Sequence, residues 1–369
     1  VRPGRAVRPG RAVVAGLVTF GLVVAAVVGL RLAGAAPPLE PAQEPAAASS
    51  GGAGQVQTKA KPQLLTPSAE QIDRSLATLR QLDDHPLFSM SYFGPAPRVD
   101  TGQTRPVTPP MTSAHALRRT FACTVFVAAG GRPLFGRNFD WDRNPALVLF
   151  ANPTDAYRSI SVVDISYLGI TSAADVDDPA KRADLVRAVT LPFDGMNEHG
   201  LTIGMAAVDE LRSQVLPGRP AIGSVSVMRQ VLDHARTVDE AIEVFGKYNI
   251  DFDGGPGLHY IVAEASGKSA VVEFVGGQLR VIPAEDRWQV MENFYLSEES
   301  DRSGYQRYST AAARLAGAGG ALTSGESMAL LGTVAQGHTQ WSAVYDPGDL
   351  SVRLATGKRY ERVHEFELR

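Results

Sequence analysis

Short apolar runs bounded by turn residues fill the chain from residue 123 to its end. Runs of four to seven residues with alternating or continuous apolar character, flanked by glycine, proline, aspartate or serine, are typical of β-strands. This pattern predicts eleven strands, which lie at residues 123–129, 133–139, 145–151, 159–165, 190–196, 201–207, 258–264, 269–275, 278–283, 340–346 and 350–355. Glycine-containing turns join several of them into hairpins.

Apolar positions three and four residues apart separate groups of strands and predict helices. Five helices are expected at residues 179–188, 224–235, 238–247, 304–316 and 325–334. Two begin with capping-box patterns, Thr237 with Glu240 and Thr323 with Glu326. A sixth helix is predicted from Thr66 to about Leu82. Hairpins flanked by helix pairs favour an α+β fold, in which two antiparallel sheets stack face to face with helices on their outer faces.

The first 34 residues have the pattern of a targeting segment. Arginines flank an uncharged run of 18 residues, Val13–Leu30, and small residues follow. We expect a signal peptide, with an uncleaved anchor in contact with the membrane as the main alternative and a buried helix as the third. Residues 35–63 are rich in alanine, proline, glycine and serine and are expected to form a disordered linker. The protein is therefore expected to be exported, either secreted or anchored at the outer face of the cytoplasmic membrane.

Composition is that of an ordinary globular protein and disfavours several classes of function. Hydrophobic residues make up 44% and charged residues 20% of the 369 positions, enough for a substantial core. Without the five arginines that precede residue 32, the formal net charge of −3 becomes −8, which disfavours nucleic-acid binding. The seven histidines are scattered and the cysteine is single, so neither a metal site nor an internal disulfide is expected. Gly254–Gly257 lacks the lysine of a phosphate-binding loop, and no cofactor is expected.

The stretch Cys123–Asp142 combines the strand pattern with candidate chemistry. Its first strand opens with the cysteine and its second contains Arg137 and ends near Asp140, so a hairpin brings a cation and a carboxylate back to the thiol. Amide hydrolysis needs a nucleophile, a base for its proton and donors for the oxyanion. Taken alone, however, a lone cysteine is more often a small buried apolar residue, and an Arg–Asp pair is often a surface ion pair.

Four short motifs follow one another along the rest of the chain. They are Cys123 with Gly136–Asp140 (G-R-N-F-D), Phe193–Leu201 (F-D-G-M-N-E-H-G-L), Met291–Phe294 (M-E-N-F) and Gln306–Tyr308 (Q-R-Y). In this order they resemble the motifs of the choloylglycine hydrolase and penicillin V acylase family, which are cysteine-type N-terminal-nucleophile (Ntn) hydrolases that cut linear amide bonds. The resemblance extends from Cys123 to the C-terminus and implies the αββα sandwich of that family. Within the second motif, Asn197 is expected to shape a turn rather than to act in catalysis.

The resemblance also implies processing of the chain. Cleavage of the bond between Ala122 and Cys123 would make the cysteine the first residue of the mature enzyme. Residues 64–122 would then be a propeptide-like segment, and residues 123–369 the catalytic domain. A terminal cysteine supplies both a thiol and an α-amino base, whose ordinary pKa values are about 8.5 and about 7.7–8.0.

Five further residues receive roles from the same resemblance. Asp140 would orient the terminal amine, and Arg137 would favour the thiolate. Asn293, which follows the strand W-Q-V-M, would contribute its side-chain amide to an oxyanion hole, and the backbone N–H of Ala207 would be the second donor. Arg307 would complete the polar network. A turn asparagine and a solvated helix arginine remain the alternatives for Asn293 and Arg307.

Three functions stay open from the sequence. The first is hydrolysis of a linear amide through a cysteine thioester, and the second is an acyltransferase that passes the same thioester to an amine. The third is a catalytically inactive, membrane-tethered binding protein, which the joint presence of the site residues disfavours. The partner expected for either enzyme is a small-molecule amide, and association of copies into a homo-oligomer is left open.

Substrate choice is expected to depend on Ala207, because family members with known substrates carry asparagine or tyrosine at that position. Alanine leaves more room and removes a polar or aromatic contact. We therefore expect amides with an apolar acyl side, and weak activity on conjugated bile salts. Phe139, Trp141, Leu147 and Met205 are the candidates for lining the acyl site.

Overall fold

The computed structural model describes residues 67–98, 123–208, 216–252 and 256–369, all within the unit Thr58–Arg369. The predicted targeting segment, residues 1–34, and the predicted linker, residues 35–63, lie outside the described residues. Within the described ranges, no helix has the length and apolar character needed to cross a membrane.

The larger sheet has nine strands in the order β1-β2-β5-β6-β7-β8-β11-β12-β13. Its strands are β1 Arg80–Asp83, β2 Leu87–Tyr92, β5 Ala146–Ala151, β6 Ser159–Asp164, β7 Asp194–Asn197, β8 Thr202–Val208, β11 Gly257–Ala263, β12 Ser269–Val275 and β13 Gln278–Pro283. Neighbouring strands are antiparallel except β2 and β5, which are parallel.

The smaller sheet has six antiparallel strands in the order β14-β3-β4-β15-β16-β17. Its strands are β3 Thr124–Ala128, β4 Leu134–Asp140, β14 Trp288–Met291, β15 Thr339–Asp346, β16 Ser351–Thr356 and β17 His364–Glu367. A separate parallel pair consists of β9 Ala221–Gly223 and β10 Asn249–Asp251.

The helices flank both sheets. They are α1 Ala69–Leu76, α2 Ala173–Asp177, α3 Pro179–Asp184, α4 Ser226–His234, α5 Val238–Gly246, α6 Gln306–Gly317 and α7 Ser324–Thr333, with 3-10 helices at Ile165–Leu168 and Leu185–Thr190. The inner faces of the two sheets pack on each other, and Phe135 of β4 lies so close to Gly204 of β8 that an added Cβ would come within 3.0 Å of the ring. The predicted αββα sandwich is therefore confirmed, with helices on each outer face.

Different helices cover the two outer faces. On the smaller sheet, Phe126 and Val344 pack with Leu315 of α6 and Leu331 of α7. On the larger sheet, Leu147 and neighbouring side chains pack with the 3-10 helix Leu185–Thr190. Further along the larger sheet, α5 packs on β11 and β12 through aromatic contacts such as Phe245 with Tyr260, whose ring centroids are 4.8 Å apart.

The eleven predicted strands are all present, with ends shifted by a few residues. Strand β14 is the strand W-Q-V-M expected before Asn293, and the unpredicted strands are short or lie before Cys123, namely β1, β2, β9, β10 and β17. The helix predicted from Thr66 to Leu82 is wrong beyond Leu76, because the hydroxyl of Thr78 donates to Ser75 O and accepts the N–H of Ser91. These bonds stabilise a turn, which competes with continued helix.

The other helix predictions held with local changes. Residues 179–188 divide into α3 and the following 3-10 helix. The capping box of Thr323 and Glu326 is complete. At Thr237 only one half is present, since its hydroxyl accepts from Glu240 N while the Glu240 carboxylate accepts from Arg236 N.

The segment before the cysteine is part of the larger sheet. Strand β2 lies between β1 and β5, and Leu87, Phe88, Met90 and Tyr92 are buried. The described part of the predicted propeptide-like segment, residues 67–98, thus shares a hydrophobic core with residues that follow Cys123.

Candidate active site

The hairpin predicted around Cys123 is formed by β3 and β4. Val125 pairs with Arg137, and Thr124 pairs with Asn138. Because side chains alternate along a strand, Cys123 and Val125 both face the inner side of the sheet, as does Arg137. The Arg137 Nη2 atom consequently lies 3.9 Å from the Cys123 sulfur.

Arg137 is completely buried and is held by several acceptors. It forms an ion pair with Asp194 and donates to Met205 O at 3.1 Å. Its guanidinium also lies over the ring of Phe139, 5.0 Å from the centroid. Burial disfavours the charged form, but the charge of Asp194 outweighs this and raises the pKa of Arg137 above its ordinary value. The cation beside the sulfur is thus permanent.

Asp194 was not among the predicted site residues. Its carboxylate also accepts Trp341 Nε1–H at 3.0 Å and the hydroxyl of Tyr345, in addition to Arg137. The signal was present in the sequence, since Asp194 stands in the second motif as a carboxylate within an apolar strand. A buried carboxylate requires donors, and a carboxylate in such a strand indicates a buried cation nearby.

The thiol of Cys123 is 4% exposed. Burial raises its pKa, the charge of Arg137 opposes that rise, and the charge of Asp140 adds to it. The backbone N–H of Asp140 and the cation of Arg307 also lower the thiol pKa. Burial therefore favours the protonated thiol, whereas the cations of Arg137 and Arg307 favour the thiolate.

Asp140, at the end of β4, is buried on the other side of Cys123 from Arg137. Its Oδ1 accepts the hydroxyl of Thr339, and its Oδ2 lies 3.7 Å from Arg307 Nη1. Within the described part of the chain, Oδ2 has no hydrogen-bond partner. Burial raises the pKa of Asp140 to about 7, although Thr339 and Arg307 oppose the rise. A buried carboxylate oxygen next to residue 123 is thus open to a donor.

Arg307, in the first turn of α6, connects the separate parts of the site. Its Nη1 donates to Cys123 O and to Thr124 Oγ1, both at 2.9 Å. Its Nη2 donates to Asn293 Oδ1 at 3.1 Å and forms an ion pair with Glu292. This guanidinium therefore fixes both the backbone of the cysteine and the orientation of the asparagine amide.

Asn293 directs its amide nitrogen toward the end of β8. Because Oδ1 accepts from Arg307, Nδ2 lies on the opposite side and donates to Ala207 O at 2.8 Å.

The peptide groups of Ala207 border the space next to the Asn293 amide. Leu201 O accepts Asn197 N–H of β7, and residues two apart in a strand direct their backbone groups the same way. Pairing with β7 stops at Gly204, so the N–H of Ala207 points past the end of that strand.

The six predicted site residues thus meet at one end of the sandwich. They are Cys123, Arg137, Asp140, Ala207, Asn293 and Arg307. Asn197 is structural, as expected: its Oδ1 accepts two backbone N–H groups of its own turn, and its Nδ2 donates to Leu232 O and Ala235 O of the α4 region. Among the described residues, no cluster of three or more acidic, histidine or cysteine side chains is arranged to hold a metal.

Two of the four residues proposed for the acyl site are misplaced. Leu147 belongs to the outer-face cluster of the larger sheet. Met205 is adjacent in β8 to Gly204, which faces Phe135 on the inner side, so its side chain faces the outer helices and only its carbonyl reaches the site. Phe139 is in the inner core and stacks on Trp141, at 5.8 Å between centroids. Periodicity gives alternation along a strand but does not show which side becomes the inner face.

Comparisons with known proteins agree with this description. Residues 123–295 match the family model of linear amide C–N hydrolases, choloylglycine hydrolase family. A penicillin V acylase of Pectobacterium atrosepticum is 26% identical over 189 residues, which are 47% of this chain and 50% of that protein. The chain therefore spans about half the length of this curated relative. The match confirms the resemblance predicted from the motifs.

The fold also has a solved counterpart. The structure of a variant of conjugated bile acid hydrolase from Clostridium perfringens is similar with a TM-score of 0.50. The likeness covers 67% of this chain and 92% of that one, at 16% sequence identity. At this identity the likeness concerns the fold, and it supports the αββα sandwich.

Proposed function

We propose, from the match of residues 123–295 to the linear amide C–N hydrolases and from the geometry around Cys123, that this protein hydrolyses linear amides through a thioester on its mature N-terminal cysteine. The observation that carries the proposal is the buried Oδ2 of Asp140 beside that cysteine, which accepts no hydrogen bond from the described residues and lies 3.7 Å from the Arg307 guanidinium. Such an oxygen suits the α-ammonium group that cleavage of the bond after Ala122 would create. The family match begins at Cys123 itself, which supports the same chain start.

Cleavage would place the two reactive groups of Cys123 in different surroundings. The thiol faces Arg137 on the inner side of the sheet, 3.9 Å from Nη2. The amine would lie toward Asp140 and donate to its carboxylate. The hydroxyl of Thr339 in turn holds that carboxylate in place. The amine takes the thiol proton, and the charge of Arg137 stabilises the thiolate that remains.

The thiolate then attacks the amide carbonyl carbon, and the carbonyl oxygen takes the negative charge. Asn293 Nδ2–H and the N–H of Ala207 are the proposed donors to that oxygen. The α-ammonium returns its proton to the leaving amine as the carbon–nitrogen bond breaks, which leaves a thioester on Cys123. A water molecule attacks the thioester, its proton passes to the α-amine, and the acid leaves while the thiol is re-formed.

The test combines chain mass with acyl trapping. Intact mass and N-terminal sequencing of the active protein should give a chain that starts at Cys123, and acid quenching during turnover should add one acyl mass to that chain. The Cys123→Ala variant should remain uncut and take up no acyl group. A protein that is fully active while Ala122 is still attached would overturn the proposal.

The proposed substrates are small-molecule amides with an apolar acyl side. Support comes from the aromatic group beside Arg137, in which Phe139 stacks on Trp341 at 4.0 Å and on Trp141 at 5.8 Å between centroids. A panel of penicillin V, N-acyl amino acids of increasing chain length and bile-salt conjugates tests this class. We expect the longer N-acyl amino acids to have the highest kcat/KM. Bile-salt conjugates as the best substrates by a wide margin would contradict the expectation.

We also propose that the enzyme is exported. The proposal rests on the arginine-rich start and the uncharged run Val13–Leu30. Fractionation of cells expressing the full chain should recover the catalytic chain outside the cytoplasm, either soluble or with membranes. Recovery only from cytosol, with residues 1–34 still attached, would exclude export.

A further inference from the structure

A histidine–glutamate pair is buried beneath the loop that carries Asn293. His259 of β11 and Glu273 of β12 are both 0% exposed, and His259 Nδ1 lies 3.2 Å from Glu273 Oε1. Both side chains point from the inner face of the larger sheet toward the chain that leaves β14. The catalytic steps proposed above do not use either residue.

The hydrogen-bond partners determine where the protons are. His259 Nε2 lies 2.7 Å from Glu292 O, a carbonyl oxygen that can only accept, so Nε2 carries a proton. Glu273 accepts the backbone N–H groups of Leu296 at 2.7 Å and of Ser297 at 3.1 Å. These donors suit a carboxylate, and the Nδ1 edge of the His259 ring faces that carboxylate.

The electrostatics of the glutamate agree with that assignment. Burial alone would raise the pKa of Glu273, but its hydrogen bond to His259 and the backbone donor at Leu296 outweigh burial and leave the pKa below its ordinary value. The pair is therefore a carboxylate packed against an imidazole ring, and each side chain is hydrogen-bonded within the protein.

We propose that His259 and Glu273 are positioning residues that hold the loop 292–297 and thereby place the Asn293 amide for the oxyanion. The imidazole ring fixes the carbonyl of residue 292, and the carboxylate fixes the N–H groups of residues 296 and 297. Asn293 lies between these anchors. The inference rests on the proposed function, in which Asn293 is an oxyanion donor.

The contacts of the Asn293 side chain and those of the surrounding backbone have different effects. Arg307 and Ala207 O determine which way the amide group faces. The buried pair fixes the backbone from which that side chain extends. A displacement of about 1 Å in a catalytic group can cost on the order of 10²-fold in rate, so both are needed.

Hydrogen exchange tests the positioning without reference to activity. In the purified protein, His259→Gln and Glu273→Gln should each increase amide exchange in a peptide covering residues 288–299. The matched control is Asp233→Asn, which breaks the equally buried pair with Arg229 on α4, where both side chains are 1% exposed. Asp233→Asn should leave that peptide protected. Unchanged exchange in both pair variants would overturn the proposal.

Kinetics separate positioning from simple loss of stability. Each pair variant should lower kcat about 10-fold to 100-fold, below the loss for a whole oxyanion donor, with KM changed less than about threefold. In an Asn293→Ala background, His259→Gln should cause no further loss of kcat, since it acts through Asn293. A further loss of the full size in that background would overturn the proposal.

An apolar double variant tests the proposal if the single variants fail to fold. The double variant His259→Leu/Glu273→Met removes both buried polar side chains and should fold, because apolar residues often replace a buried polar pair without loss of stability. Its kcat should remain low. Wild-type kcat in this folded variant would overturn the proposal. If wild type itself fails to form a thioester on Cys123, the proposed function fails, whereas the exchange result still decides whether the pair holds the loop.

Discussion

Arg307 donates from Nη1 to the carbonyl oxygen of Cys123 at 2.9 Å, although 184 positions separate the two residues in the chain. The first turn of α6 therefore fixes the backbone at the start of β3. The same guanidinium holds Asn293 Oδ1 at 3.1 Å, so one side chain relates the proposed nucleophile to the proposed oxyanion donor.

Replacing Arg307 by methionine should impair both catalysis and stability. We expect kcat to fall on the order of 10²-fold or more, as when an oxyanion donor is lost. Glu292 would lose its cation, and the unfolding free energy should fall by up to about 3–5 kcal/mol. Steady-state kinetics and thermal unfolding measure the two effects. Arg314→Met on the same helix is the control, because Arg314 and Glu326 form an exposed pair. Equal effects of the two substitutions would contradict the assigned role.

Arg137→Met should make the thiol of Cys123 less reactive. The charge of Arg137 opposes the rise in thiol pKa that burial causes, so its removal raises that pKa further. Alkylation by iodoacetamide should therefore slow at pH 7–8, and its pH midpoint should move upward. Arg132→Met, which breaks a half-exposed pair with Asp346 at the turn of the same hairpin, should change neither. An unaltered alkylation profile in Arg137→Met would refute the electrostatic argument.

The uncut chain should lose stability as the pH rises from about 4 to about 7. Burial raises the pKa of Asp140 to about 7 from 3.8, so the folded chain keeps a proton that the unfolded chain releases in this window. Stability from this proton is present below about pH 4 and is lost as the pH passes about 7. Denaturant unfolding of Cys123→Ala, with and without Asp140→Asn, measures the slope, which the asparagine should reduce.

Asp164 provides a comparison for that slope. Its pKa is also raised to about 7 by burial, and it lies outside the proposed site. Asp164→Asn should reduce the pH dependence of stability in the same window. If neither asparagine variant changes the slope of the unfolding free energy against pH, the pKa values of Asp140 and Asp164 are not raised.

The segment 67–98 should stay with the enzyme after cleavage before Cys123. Strand β2 lies inside the larger sheet, and Leu87, Phe88 and Met90 are buried there. Their burial contributes on the order of 5–9 kcal/mol to stability, and release of the segment would lose that contribution. Size-exclusion chromatography of the cleaved protein should give one peak containing both chains, which separate only in denaturant. A folded, active chain without the segment would refute this expectation.

Asp83 provides a test of the association between segment 67–98 and the rest of the protein. Its carboxylate, 1% exposed, forms ion pairs with Arg359 and with Arg362 at 3.3 Å, and its Oδ2 lies 2.9 Å from His364 Nε2. Asp83→Asn should lower the denaturant concentration at which the two chains separate. Asp84→Asn, which alters the 80% exposed neighbour, should have a smaller effect.

Much of the fold followed from the sequence because strand patterns and turn residues act locally. The hairpin β3–β4 is an example, since alternation and a Gly-Gly turn suffice to bring Arg137 back to Cys123. Strands β9 and β10 were missed because they have only three residues each, too few to show a period. Strand β2 was missed because its parallel partner, β5, follows it more than fifty residues later.

The sequence by itself determined that Cys123, Arg137 and Asp140 lie together at one end of the hairpin, because a two-residue period and a short turn bring them together whatever surrounds them. Motif resemblance added Ala207, Asn293 and Arg307. The tertiary structure decided which cation Asp194 holds, and it brought His259 and Glu273 against the loop that carries Asn293. Those contacts join strands of different sheets, or a strand to a distant loop. These contacts depend on the order of the strands and on which face of each sheet becomes the inner one. Neither is encoded in the local pattern of any one segment.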